Sequence, residues 1–299
     1  MWEAIAESIG TAEGRTLLTT GEPSSIGGGY INDARRLTTR DDDSGETLEY
    51  FVKVNDTTFA NQFEAEAKGL EELRAPNAIR VPRPVCRGEA GNRSFIVLEF
   101  IELGRGGDAS EQLMGERLAA LHRTIATDGQ FGWHRDNAIG ATLQVNTPSV
   151  TWLEFFRDRR LRFQFNLAAK RGRPFRGAEA FLDETLPALL AEHQSEPSLL
   201  HGDLWGGNAG YDREGNPVLF DPAVYYGDRE TDLAFTRMFG GFGAAFYSAY
   251  DNAWPLPEGH QLRASLYNLY NELNHFNLFG GGYGTQSERT MSRLQRSKP

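Results

Sequence analysis

Apolar positions alternate with polar ones in the first third of the chain and recur at helical spacing afterwards. Around residues 33–38 and 48–54 the period is two, and the acidic patch Asp41-Asp42-Asp43-Ser44-Gly45 between them reads as an exposed hairpin turn. In the second of these strands Phe51 and Lys53 share one face while Val52 and Val54 share the other. The period changes to 3.6 over about 59–73, where Phe59, Phe63, Leu70 and Leu73 fall on one stripe. Pro82 and Pro84 end that region, and the unbroken run Phe95-Ile96-Val97-Leu98 within 94–100 predicts a buried strand. Beyond Glu102 the glycines of Gly104-Arg105-Gly106-Gly107 read as a joint. Helical patterns follow near 110–125, 151–169 and 178–193, with short strands near 199–200 and 217–220 and an aromatic-rich helical remainder from Thr231. No internal repeat is present. The pattern predicts an α+β fold of two lobes: a small β-rich lobe with one key helix over 1–101, and a larger, mainly helical lobe over 102–299.

Composition narrows the partners. The net charge of −10 argues against nucleic acid, whose phosphates need a basic surface. The single cysteine, Cys86, excludes an intrachain disulfide and a thiolate-rich zinc site. The start, Met1-Trp2-Glu3-Ala4-Ile5-Ala6-Glu7, lacks the basic and apolar regions of a signal peptide. No apolar run approaches the ~20 residues of a membrane helix. The expectation is a soluble cytoplasmic protein, monomer or homodimer.

Chemistry concentrates in His201-Gly202-Asp203-Leu204-Trp205-Gly206-Gly207-Asn208 and in Asp221, thirteen residues after the Asn at the end of Val218-Leu219-Phe220. Asp203 can accept a proton from a hydroxyl, and Asn208 and Asp221 are hard oxygen donors suited to Mg²⁺. Taken singly, they also read as a turn residue, a helix cap and a turn before Pro222. Ser25-Ile26-Gly27-Gly28-Gly29-Tyr30-Ile31-Asn32 can bring backbone N–H groups close to phosphate, or form a plain turn; it is not a Walker A loop. Glu66 lies within the apolar stripe, whereas Glu64, Glu71 and Glu72 lie off it. A carboxylate there is costly unless paired, and Lys53 is the available partner. His201 is expected to bond backbone near the loop. Asp232 caps the next helix or braces the loop from below.

The order His-x-Asp-x₄-Asn followed by a later Asp resembles the catalytic core of protein kinases. In detail the chain resembles the fructosamine kinase (ketosamine-3-kinase) family of the aminoglycoside phosphotransferase and choline kinase branch. The resemblance is carried by Trp205 and by Asp221-Pro222-Ala223-Val224-Tyr225-Tyr226-Gly227-Asp228-Arg229-Glu230. It continues in Phe131-Gly132, Asn137, Ile139-Gly140, Gln144, Asn146, Trp152 and Phe155-Phe156, and in Phe279-Gly280-Gly281-Gly282-Tyr283. It implies a bilobal kinase-like fold and ATP- and Mg²⁺-dependent phosphorylation of the 3-hydroxyl of ketosamines, free or on protein lysines. The phosphorylated product is unstable and releases the amine, a deglycation. By position, Asp203 would serve the hydroxyl, Asn208 and Asp221 hold metal, and Lys53 and Glu66 bind phosphate under the glycine loop. Glu99 to Ile101 would meet adenine through backbone groups. Trp205, Gln144 and Asn146 would face the substrate. Some relatives carry cysteine after the glycine run; Tyr30 stands there in this chain, which implies no redox disulfide at that loop. The alternatives are a kinase of the aminoglycoside or choline type and a nucleotide-binding pseudokinase serving as an interaction module.

Arg157, Arg159, Arg160, Arg162, Lys170, Arg171, Arg173 and Arg176 form a basic patch, read as a solvated helix paired with carboxylates or as a docking surface. Phe235, Phe239, Phe242, Phe246, Tyr247 and Tyr250 are expected in the core, with one or two reaching the acceptor pocket.

Overall fold

The computed structural model describes residues 1–27 and 32–297. The first hundred residues build one antiparallel sheet from β1 (Leu17–Thr19), β2 (Ser24–Ser25), β3 (Asp33–Asp41), β4 (Thr47–Asp56), β5 (Pro84–Ala90) and β6 (Arg93–Glu99). The strand order is β1-β3-β4-β6-β5, with β2 paired to β3. The β3–β4 turn closes on Asp41, whose Oδ1 accepts the Asp43 and Ser44 N–H groups at 2.9 and 3.1 Å.

The two faces of the sheet have different partners. Val52, Val54, Phe95 and Val97 pack with Ile5 and Ile9 of α1 (Trp2–Glu13), a helix that sequence patterning did not pick out. On the other face Ile96 and Leu98 join Phe63, Leu70 and Leu73 of α2 (Ala60–Arg74). Lys53 pairs in register with Ile96, so it faces α2. Cys86 is half-buried in β5, and burial with the nearby Glu13 pushes its thiol up to about 12.

The second part is mainly helical. α3 (Asp108–His122) packs on the helix Ala244–Ala253, and the helices Glu230–Met238, His260–Phe279 and Tyr283–Arg296 complete the bundle. Two small ladders, Ser198–Leu200 with Tyr225–Gly227 and Ala209–Tyr211 with Pro217–Leu219, carry the loops of interest. The helical segments near 151–169 and 178–193 contain π-turns, Phe156–Leu161 and Phe181–Thr185. The joint between the two parts is packed: Gly104 N–H donates to Tyr211 O at 2.8 Å, and a Cβ on Gly106 would fall 2.2 Å from the Tyr211 ring. Among the described residues no helix is long and apolar enough to cross a membrane.

Candidate active site

Three elements converge where the sheet meets the bundle. Lys53 Nζ on β4 donates to Glu66 Oε1 on α2 at 2.7 Å and to Asp221 Oδ1 at 2.5 Å. Burial works against the ammonium, but Asp221 and Glu66 outweigh it and hold the Lys53 pKa above its ordinary value. The Lys53 and Glu66 side chains are 7 % and 14 % exposed, so each would be an uncompensated buried charge without the other. Glu64, by contrast, reaches outward to Arg87 and Arg135. We therefore expect Glu66→Gln to lower kcat/KM by ~10²-fold or more and Glu64→Gln by less than about threefold, in line with the small energies of exposed pairs. Steady-state kinetics of the two variants check this; the reverse order would overturn the pairing.

The loop 201–208 is held from beneath. Asp232, 2 % exposed, accepts the His201 and Gly202 N–H groups at 2.8 and 2.9 Å and lies 3.2 Å from His122 Nε2. Gly202 has φ 81°, and a Cβ there would meet Ala223 O at 2.0 Å, so only glycine fits. His201 Nε2 lies 2.9 Å from Phe220 O, which can only accept, and its Nδ1 receives the Asp203 N–H at 3.3 Å. The ring is thereby fixed as the neutral Nε2–H tautomer. Burial lowers its pKa. A histidine depressed in the folded state favours folding when neutral, so this contribution is lost as pH falls below its unfolded value of ~6.5. We expect the drop in Tm between about pH 7 and 5 to shrink in His201→Gln, whose amide N–H can still reach Phe220 O; an unchanged drop would remove His201 as its source.

Asp203 and Asn208 face each other across the loop. Asn208 Nδ2 donates to Asp203 O at 2.9 Å, to Asp203 Oδ2 at 3.0 Å and to Asp221 O at 3.4 Å. Burial, and then the negative charge of Asp221, push Asp203 up to about 7. No described donor meets Asn208 Oδ1 or Asp221 Oδ2. Two hard oxygens without a described donor, on residues joined by the Asn208 Nδ2–Asp221 O contact and one of them anionic, fit a hard divalent cation. Asp221 itself sits at φ 57°, a left-handed conformation that Asp and Asn tolerate better than other non-glycine residues.

The remaining candidates fall in different places. Gly28 and Gly29, with Tyr30, lie outside the described residues; Gly27 is exposed with open space around it. Glu99 ends the β4–β6 ladder opposite Tyr50, and its carboxylate bonds Arg80 at 2.9 Å and the Arg83 N–H at 3.2 Å. Ile101 follows two residues beyond.

Gln144 and Asn146, expected against the substrate, lie behind the site at 1 % and 0 % exposure. Gln144 Nε2 donates to Ala223 O at 3.0 Å and to Asn137 Oδ1 at 2.9 Å, while Asn137 Nδ2 donates to Val224 O at 2.8 Å. Asn146 holds Asn137 Oδ1 and Arg135 O, and receives the buried Arg160 guanidinium on its own Oδ1 at 2.7 Å. With every polar group engaged, they fix the carbonyls after Asp221-Pro222 and have none to offer a substrate.

Sequence reasoning also missed a second tie from α2. Glu72 accepts the Tyr226 hydroxyl at 2.7 Å and the Trp133 indole N–H at 3.5 Å, bolting the helix that carries Glu66 to the second lobe. In front of the loop, Trp205 and Phe239 ring centroids are 5.9 Å apart, and His275 lies 5.0 Å from Phe239 and 5.1 Å from Tyr283. His275 Nδ1 donates to Asn271 O at 2.8 Å, so burial and this bond leave Nε2 as an acceptor. These rings give an aromatic wall two residues along from Asp203. Trp205 and Phe239 are among the aromatics the sequence offers near the acceptor, whereas His275 carries no such signal; Phe239 and Phe279 are the exposed rings of the group, at 43 % and 67 %.

A buried lysine clamped between a helix glutamate and the Asp-Pro-Ala aspartate, facing a braced Asp–Asn loop, defines a kinase-fold phosphotransferase acting on an alcohol. The chain belongs to the fructosamine kinase family, whose profile matches residues 1–297. A probable ketoamine kinase of Synechocystis sp. is 44 % identical over 295 residues, covering 99 % of this chain and 97 % of that protein. The chloroplastic protein-ribulosamine 3-kinase of Oryza sativa subsp. indica is 42 % identical over 279 residues, 91 % of this chain and 78 % of its own. A Haemophilus somnus protein assigned as a fructosamine-3-kinase superposes with TM-score 0.88 at 26 % identity, covering 98 % and 97 % of the two chains. The choline kinase LicA of Streptococcus pneumoniae, at 16 % identity and TM-score 0.58, shares the fold.

Proposed function

We propose that this chain uses ATP and Mg²⁺ to phosphorylate the 3-hydroxyl of ketosamines, the adducts of sugars with amines. The observation that carries the reading is the buried Lys53 bonded to both Glu66 and Asp221, with Asp203 bonded by Asn208 in the loop that also carries Trp205. Asp203 accepts the proton of the sugar hydroxyl as its oxygen attacks the γ-phosphorus, and the bond to ADP breaks. A group raised to about 7 is matched to that transfer near neutral pH. Lys53, oriented by Glu66, neutralises charge on the nucleotide phosphates. Asn208 and Asp221 would hold the divalent ion, which supplies charge neutralisation to the transferring phosphoryl group. The aromatic wall offers faces to the sugar and its amine substituent. The 3-phosphorylated product then releases the amine, which makes the activity a deglycation.

The test is ATP consumption on four acceptors: fructoselysine, ribuloselysine, an aminoglycoside and choline. We expect turnover of one or both ketosamines and none of the other two. Turnover of the aminoglycoside or choline alone would replace this reading with the broader branch.

A further inference from the structure

The helix His260–Phe279 carries His275 at one end of a face that also presents His260, Ala264, Asn268 and Glu272 at steps of three and four residues. Along that face runs a hollow of about 440 Å³ that continues into a second of about 370 Å³, with Glu272, Gln286 and Arg293 lining both. None of the wall rings lines it, but three of its lining residues are their near neighbours along the chain: Met238 precedes Phe239, Glu272 is three residues from His275, and Gln286 is three from Tyr283. Three helical residues rise about 4.5 Å, so the hollow begins within a turn of the wall.

Its rim is cationic. Arg289, Arg293 and Arg296 recur at i, i+4 and i+7 on the helix Tyr283–Arg296, and Arg237 and His260 stand across from Arg293. None of the four arginines meets a carboxylate within 4.0 Å among the described residues; Arg237 lies over the Tyr247 ring at 3.7 Å. The two carboxylates nearby make no ion pair with them among the described residues, although Glu272 acts on Arg293 at longer range. Glu272, 5 % exposed, gives its Oε1 to Gln286 at 3.0 Å and to Thr290 at 3.1 Å, and Glu288 makes no ion pair where it lines an adjoining recess with Arg289 and Arg296. In a chain of net charge −10 this is a cationic track, without ion pairs among the described residues, whose lining residues neighbour those of the acceptor wall.

We propose that this track docks an acidic peptide segment flanking the modified lysine of a glycated protein, an inference that rests on the ketosamine kinase reading above. The stripe from Arg289 to Arg296 spans about 10 Å of helix, the length of about three extended residues. That is longer than the single carboxylate of a free amino-acid adduct requires. Arginine forks recognise carboxylates in fixed geometry, and charges at a rim select partners and speed encounter.

The experiment compares three acceptors: a peptide with one ketosamine-bearing lysine followed by glutamates, the same peptide with glutamines, and an uncharged adduct of doubly blocked lysine. We expect kcat/KM on the glutamate peptide to exceed that on the glutamine peptide by on the order of tenfold at low salt, and the gap to close as salt screens it. The triple variant Arg289→Glu, Arg293→Glu, Arg296→Glu should abolish the gap and leave the uncharged adduct unaffected; all three residues are exposed, and because Arg293 offsets the buried Glu272, the double variant Arg289→Glu, Arg296→Glu repeats the test with Arg293 in place. Equal rates on both peptides in the unaltered protein, or an equal loss on the uncharged adduct, would overturn the proposal. Fluorescence anisotropy of an unmodified glutamate-rich peptide reads the track without turnover. Binding that the triple variant loses, in a protein inactive on every ketosamine, would sink the activity and keep the track. Turnover without such binding would do the reverse. A short single-stranded oligonucleotide that displaces the peptide at lower concentration would overturn the peptide as occupant.

Discussion

Replacing Asp203 by Asn is expected to lower kcat by ~10²–10⁴-fold, the range general base groups supply, while nucleotide affinity stays unchanged. The separation follows from the geometry. Asp203 touches the Asn208 amide and no part of Lys53 or Glu66, so the phosphate-facing pair survives. An asparagine Oδ1 can still accept the Asn208 Nδ2 proton, which keeps the loop closed. The variant also removes a buried negative charge beside Asp221, the interaction that helps raise Asp203, so Tm should hold or rise. Initial rates with a ketosamine, nucleotide titration and thermal melts check the three parts. Turnover within about tenfold of the parent would take the proton-accepting role away from Asp203.

How much of this site could be read in the sequence depends on distance along the chain. Lys53 and Glu66 are thirteen residues apart, and strand alternation with one helical stripe was enough to face them toward each other. Asp203, Asn208 and Asp221 lie within nineteen positions, and their spacing carries a recognisable order. The Lys53–Asp221 contact spans 168 residues, which no local periodicity encodes; only the resemblance to kinases linked those two regions. The same limit explains what was misplaced. Gln144 and Asn146 carry polar side chains in a segment with functional resemblance, and sequence alone cannot tell a polar group facing a ligand from one facing a carbonyl. In the fold both donate to Asn137 Oδ1, while Gln144 bonds Ala223 O and Asn137 bonds Val224 O, a buried polar network that specifies the backbone after Asp221.

Other differences are local competitions. The α1 helix begins at Trp2 with an acidic, mixed pattern, and its buried stripe is only Ile5, Ala6, Ile9 and Gly10, too short to stand out. β5 contains Pro84 at its start and a register shift between Pro84 and Cys86, so its alternation is broken. The basic patch divides the same way. Arg157 and Arg162 pair with Asp158, Glu179 and Asp183 at the surface. Arg160 instead is wholly buried, with its guanidinium 4.1 Å from the Tyr225 ring centroid and bonded to Val145 O at 2.6 Å. Helical phase places it inside only once the π-turn Phe156–Leu161 is known.

Asp221→Asn isolates the charge of the proposed metal ligand from its backbone. Most substitutions at φ 57° add strain, but asparagine tolerates this region as aspartate does, so the loop keeps its shape. Lys53 retains Glu66 and loses only the Asp221 contact, and Asp203 loses the neighbouring charge that raises it. We expect nucleotide affinity measured with Mg²⁺ to fall toward the value measured without it, and kcat to fall by ~10²-fold or more, because a carboxylate ligand and its charge are both gone. Isothermal titration with and without Mg²⁺ reads the first, and initial rates the second. Thermal stability should be nearly unchanged, which distinguishes lost ligation from a collapsed loop. If the variant bound nucleotide in Mg²⁺ as tightly as the parent, the free oxygens of Asn208 and Asp221 would have no cation to share, and the charge of Asp221 would serve Lys53 alone.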